Sequence, residues 1–184
     1  MSNGPFLTDV KTLRKRARQH IEEGAVTSSY GGDTNTAIKV LNDALATEIV
    51  CVLRYKRHYF MAKGIHAASV AAEFLEHAND EQGHADRIAE RIVQLGGAPN
   101  LSPEGLLTRS HTEYVEAHDD LVEMIKENLV AERIAVDSYR EIGSYFAAFD
   151  STTRKMIEEI QAEEEEHAED LADLLRGLPN DIKR

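Results

Sequence analysis

Apolar residues recur at spacings of three and four over four long stretches of this chain, and strand-like alternation is absent. That period predicts long helices over 34–62, 67–95, 112–147 and from 150 to about 176. Prolines at positions 5, 99, 103 and 179 leave those stretches uninterrupted. Gly64 is read as the turn between the first two helices. Gly96-Gly97-Ala98-Pro99 reads as a helix stop, Asp150-Ser151-Thr152 as a break that caps the fourth helix, and Gly177 with Pro179 as its end. Residues 96–111 link the second and third helices, enough to run the length of a bundle, so two hairpins joined by a long crossover are expected. Ahead of them, 8–24 reads as a short basic amphipathic helix ending at Gly24, and Ser28 to Asp33 has turn composition. The expected division is therefore an N-terminal extension over 1–33 and an all-α four-helix bundle domain over 34–184.

The inward seam of each helix follows from the same spacings. The first gives Ile38, Leu41, Leu45, Glu48, Val52, Tyr55 and Tyr59, and the second Phe74, Ala78, Glu81, His84 (or Ala85), Ile88, Ile92 and Leu95. The third gives Leu121, Ile125, Asn128, Glu132, Ala135, Tyr139, Ile142 and Phe146, and the fourth Ile157, Ile160, Glu164, His167, Leu171 and Leu174. Carboxylates on every apolar seam demand an explanation, because a buried, unpaired charge costs several kcal/mol or more. No lysine or arginine of the four helices falls on the predicted seams to neutralise them.

The carboxylates come in a repeating arrangement. Glu81-Gln82-Gly83-His84 and Glu164-Glu165-Glu166-His167 are both Glu-x-x-His, and residues i and i+3 share a helix face. A lone glutamate precedes each, Glu48 by 33 residues and Glu132 by 32. The midpoints fall near 65 and 149, at the two predicted turns, so each hairpin brings its ligands level. One Glu-x-x-His in an acidic chain is weak, and Glu163, Glu165 and Glu166 read as a solvated face. Two motifs, two matched partners and four seam positions together predict a six-ligand set of four carboxylates and two imidazoles, suited to two iron or manganese ions.

Composition adds boundaries. The chain has 184 residues, 42% apolar, and no run approaching a membrane span, so one soluble domain without membrane partners is expected. Its N-terminus lacks the pattern of a signal peptide, and the cytoplasm is the expected compartment. A single cysteine, Cys51, excludes an internal disulfide and a four-cysteine metal site, and is read as core packing. A net charge of -12 argues against a general nucleic-acid surface and suits a protein that attracts cations. Lys11, Arg14, Lys15, Arg16 and Arg18 form a basic run that would suit DNA. It is read instead as the polar face of a docked helix, with Leu7, Val10, Leu13, Ala17 and Ile21 as its apolar stripe, and DNA is not favoured as a partner. His20, His58, His66, His77, His111 and His118 lack a paired seam carboxylate; His77, one turn before Glu81, is read as a plain surface or core histidine rather than part of an entry path.

At Asp80 to Arg87 and the Gly-Gly-Ala-Pro-Asn-Leu that follows the second helix, the chain resembles the bacterioferritin branch of the ferritin-like superfamily. The resemblance covers about 34–176 and implies a ferritin-like bundle in which Glu48, Glu81 and His84 bind one iron and Glu132, Glu164 and His167 the other. It further implies that Glu81 and Glu164 bridge, and that Tyr55 is the tyrosine kept beside the di-iron site. Manganese or zinc can take the same places. Three features depart from that family. Gln82 stands where bacterioferritins carry the haem-ligating methionine, so no haem is expected. Only 17 residues follow His167, which leaves no fifth helix for a shell of twenty-four. The segment before the first helix and the missing fifth helix are similar to Dps-like proteins, which form shells of twelve, although the thiol pair of the Dps-like thioferritins is absent.

The expected activity is that of a ferroxidase, Fe(II) being oxidised by O2 or H2O2 and stored as Fe(III) mineral in a hollow homo-oligomer, a twelve-subunit shell before one of twenty-four. Two alternatives stand beside it: a Dps-like DNA-protecting, peroxide-consuming shell, and a di-iron or di-manganese oxidoreductase that stores nothing. A rubrerythrin is excluded with the four-cysteine domain it would need.

Overall fold

The structure is a computed structural model describing residues 8–117 and 120–178. Leu7, His118, Pro179 and the tail after it, all used in the sequence reading, lie outside the described residues. The described residues are helical or irregular, without a strand. Helix α1 spans Val10–Arg16, and a 3-10 turn follows at Ile21–Glu23. Four long helices then appear, α2 over Thr34–Met61, α3 over Ala67–Gln94, α5 over Leu121–Phe146 and α6 over Ser151–Gly177, with the short α4 at Leu106–Arg109 in the crossover.

Local chemistry sets the ends. Asp33, Asp120 and Asp150 cap α2, α5 and α6, each accepting a backbone N–H two or three residues on. Helix α3 ends in a paired C-terminal closure: the Gly97 N–H donates to Ile92 O and the Gly96 N–H to Val93 O, with Gly96 at φ 82. The tight turns after α2 and α5 make α2/α3 and α5/α6 hairpins, which dock as a bundle.

The third long helix begins later than its pattern predicts. Residues 112–117 are not helical, and α5 starts only after the Asp120 cap. Their backbone is used elsewhere: the crossover lies along α2 and bonds a polar row on that helix. The His111 N–H donates to Thr47 Oγ1, Thr112 Oγ1 lies 3.6 Å from Cys51 Sγ, Arg54 donates to Glu113 O, and His58 Nε2 lies 3.1 Å from Val115 O. Thr47, Cys51, Arg54 and His58 follow helical spacing and are all buried by this cover.

The predicted stripe of the N-terminal segment is not docked. Val10, Leu13 and Ile21 are 60%, 48% and 77% exposed, and α1 buries none of its residues. The helix is two turns long and His20 adopts a left-handed conformation at φ 49, so the stripe breaks before Ile21. What does pack is the following loop: Val26 and Tyr30 join the core, and the Tyr30 hydroxyl donates to Asp150 Oδ2 at 3.0 Å.

The core has two large pieces, beside a small third cluster of Ala46, Val50 and Leu106 where α4 meets α2. One, towards the α5/α6 turn, holds Leu41, Leu45, Ile88, Ile92, Tyr139, Phe146, Ile157 and Ile160. The other, towards the α2/α3 turn, holds Tyr55, Val70, Phe74, Ile125 and Leu171. Every helix passes from one cluster to the other through a carboxylate.

Candidate metal centre

That polar layer contains Glu48 from α2, Glu81 and His84 from α3, Glu132 from α5, and Glu164 and His167 from α6. None is more than 5% exposed. Ligand atoms of Glu48, Glu81, His84 and Glu164 lie within 4.8 Å of one another, as do those of Glu81, Glu132, Glu164 and His167. Glu81 and Glu164 belong to both groups, so the six side chains enclose two adjoining spaces with two common walls. Sequence spacing brought all six to this layer, and Tyr55 stands beside it, donating a hydrogen bond to Glu132 Oε1.

The rings are aimed. His84 Nδ1 faces Glu164 Oε1 at 3.2 Å, Glu48 Oε2 at 3.4 Å and Glu81 Oε2 at 3.7 Å. His167 Nδ1 faces Glu164 Oε2 at 3.5 Å and Glu81 Oε1 at 3.9 Å. Their outer nitrogens meet other carboxylates: His84 Nε2 lies 2.8 Å from Glu163 Oε2, and His167 Nε2 lies 3.6 Å from Asp80 Oδ2. Glu163 also accepts from Arg87 at 3.2 Å. A metal on the inner nitrogen would leave the ring proton on the outer one, where Glu163 accepts it from His84. Glu163 is thus half-buried and bonded, not part of the solvated face the acidic run suggests; Glu165 and Glu166 are exposed as expected.

Both oxygens of Glu48, Glu81 and Glu164, Oε2 of Glu132, and the inner nitrogens of His84 and His167 are buried without a hydrogen-bond partner. So many orphaned acceptors converging on one space fit a cation. The electrostatics agree. Burial, then the charges of Glu81 and Glu164, push the Glu48 and Glu132 carboxyls well above the usual range. Against its own burial, contact with His167 and His84 holds Glu164 down to about 2. The cluster without a cation therefore retains protons that a metal would displace. Hard carboxylate oxygens with two imidazoles suit iron, manganese or zinc, and when bound a redox metal supplies the electron transfer that no side chain here performs.

Three neighbours were not legible as site residues. His77 is 2% exposed, stacks on His167 with ring centroids 4.0 Å apart, and its Nδ1 lies 3.1 Å from the Tyr55 hydroxyl. Its seam spacing, three after Phe74 and four before Glu81, was the available signal. Arg54 is fully buried and donates to Asn128 Oδ1, Glu113 O and Cys51 Sγ. It supplies a buried cation that the predicted seams do not contain, as Arg91 does beside Asp150, and its own hydrogen bonds go to no carboxylate. Asp80 opens the stretch that carries the family resemblance, but nothing in the sequence assigned it a role of its own.

Comparison with known proteins agrees with this architecture. The family model for the ferritin-like domain matches residues 38–180, and the chain belongs to that family. Among its relatives, the bacterioferritin of Rhodobacter capsulatus is 29% identical over 133 residues, covering 72% of this chain and 78% of the relative. A nutrient stress-induced DNA-binding protein of Nostoc sp. is 30% identical over 140 residues, covering 73% and 74%. Among solved structures, the dodecameric thioferritin described as the bacterioferritin-related protein of Bacteroides fragilis superposes with a TM-score of 0.75 at 36% identity, covering 78% of this chain and 86% of that one.

Proposed function

We propose that this protein is a ferroxidase that stores iron. Fe(II) is its substrate: Glu48, Glu81 and His84 receive one ion, Glu132, Glu164 and His167 the other, and Glu81 and Glu164 serve both. The observation that carries the reading is the set of buried carboxylate oxygens and inner imidazole nitrogens without partners. Four carboxylates around two divalent ions approach neutrality and favour the trivalent product once electrons leave. Two ions together release two electrons, which reduce O2 with two protons to H2O2, or H2O2 with two protons to two waters. Neither sum produces a one-electron radical. Tyr55, donating to Glu132, orients that carboxylate.

Storage in a hollow homo-oligomer is supported by membership of the ferritin-like family and by the similarity to the dodecameric thioferritin of Bacteroides fragilis. A shell of twelve is the proposed assembly, in the cytoplasm, without haem. A second reading, a shell that also retains DNA, is favoured by the exposure of the basic helix α1 and by the name of the Nostoc relative. Steeply salt-dependent retention of DNA, lost when Lys11, Arg14, Lys15 and Arg16 are replaced, would support it.

The deciding experiment is aerobic loading with Fe(II), desalting and iron analysis. Many tens of irons per chain are expected. About two would leave a paired-metal oxidoreductase without storage. None would overturn the reading.

A further inference from the structure

A second group of ligating side chains lies just outside the paired centre. Glu73, His77 and Asp170 place ligand atoms within 4.8 Å of one another, with His77 Nε2 at 3.4 Å from Glu73 Oε1 and 3.8 Å from Asp170 Oδ2. Glu73 and Asp170 also line a surface cavity of about 400 Å³ with His66 and Asp173. His77, 2% exposed, lies inward of them.

Hydrogen-bond direction decides what His77 offers. The Tyr55 hydroxyl has one proton and donates it to Glu132. Its 3.1 Å contact with His77 Nδ1 is then made by the ring, whose N–H donates to the hydroxyl oxygen. A neutral imidazole has a single N–H, so Nε2 presents a lone pair towards two carboxylates. His77 Nε2 and the two carboxylates converge on one point, an arrangement that a cation satisfies.

We propose that Glu73, His77 and Asp170 form a third divalent-cation site, open to the surface and distinct from the paired centre, that takes hard ions such as Fe(II) and Mn(II). One imidazole nitrogen and two carboxylates, with room for water on the cavity side, is a donor set for such ions. The site needs only its own three ligands. Its place as a neighbour of paired ions, one stacked imidazole away through His167, rests on the proposed function.

Crystals of the full chain soaked in Mn(II) without oxygen test this by anomalous scattering. The expected result is a peak in bonding distance of His77 Nε2 in addition to those in the paired centre. In the Glu73→Gln/Asp170→Asn variant that peak is lost and the paired peaks remain; both substituted side chains are partly exposed and outside the paired centre. Filled paired sites with no peak at His77 would overturn the third site alone. A peak at His77 with empty paired sites would leave the third site standing and overturn the paired reading. Persistence of the His77 peak in the double variant would show that the carboxylates do not hold it, and the proposed site would fall.

Discussion

Glu163 Oε2 lies 2.8 Å from His84 Nε2, while the opposite nitrogen of the same ring faces Glu48, Glu81 and Glu164. A side chain outside the layer thus fixes the tautomer of one inside it. Glu163→Ala is expected to weaken metal binding at the His84 end by 10- to 100-fold, the range for loss of a carboxylate behind a histidine ligand. Titration calorimetry with Zn(II) checks this, with circular dichroism expected to be unchanged.

Metal should stabilise the fold measurably. The layer concentrates like charges and orphaned acceptors that a cation satisfies, so thermal stability should rise on adding Zn(II) and fall on chelation. The gain is about 2.7 kcal/mol when free ion exceeds Kd a hundredfold. Glu48→Gln/Glu132→Gln should abolish that gain. These two carboxyls are pushed up and carry protons without metal, and glutamine copies the protonated form. The metal-free variant should therefore stay within about 1 kcal/mol of wild type.

Acid should act through His58. Burial, then the nearby Arg54, lowers its pKa to about 4, while the unfolded ring titrates near its ordinary 6.5. The unfolded chain therefore binds the extra proton first on acidification. The neutral ring's contribution is complete above pH 6.5 and falls away between 6.5 and about 4, by roughly 2–3 kcal/mol. Urea unfolding of metal-free protein across that range checks the slope, and His58→Gln should flatten it.

Haem should be absent. Gln82 carries an amide that donates to Asp86 Oδ1 at 2.9 Å, and it has no thioether for iron. Protein purified from cells supplied with haem precursor should show no Soret band; a stoichiometric band would refute this.

The long helices were legible because each buries one stripe at helical spacing and each of the last three turns is marked by Gly or Asp. The ligand set was legible because buried carboxylates break an apolar stripe conspicuously. What escaped depended on contacts between distant segments. The late start of α5 was signalled only by Asp120 with Glu123 three residues on, a capping pattern inside otherwise helix-tolerant sequence. Arg54 and His58 lie on a second row of α2 that a four-helix seam leaves in solvent; the crossover covers it, and nothing local in α2 announces a cover. Glu163 was hidden by its own surroundings, since an acidic run looks the same whether one member reaches inward or not. The exposed stripe of α1 is the reverse case, an amphipathic pattern with no partner among the described residues.

Glu81 and Glu164 are party walls between two compartments, and this makes the centre's tolerance to drift uneven. Change at Glu48 or Glu132 strips a furnishing from one compartment and leaves the other enclosed. Change at Glu81 or Glu164 opens both at once. A descendant of this protein that kept a single ion would therefore be reached from either end of the layer, and never through its middle.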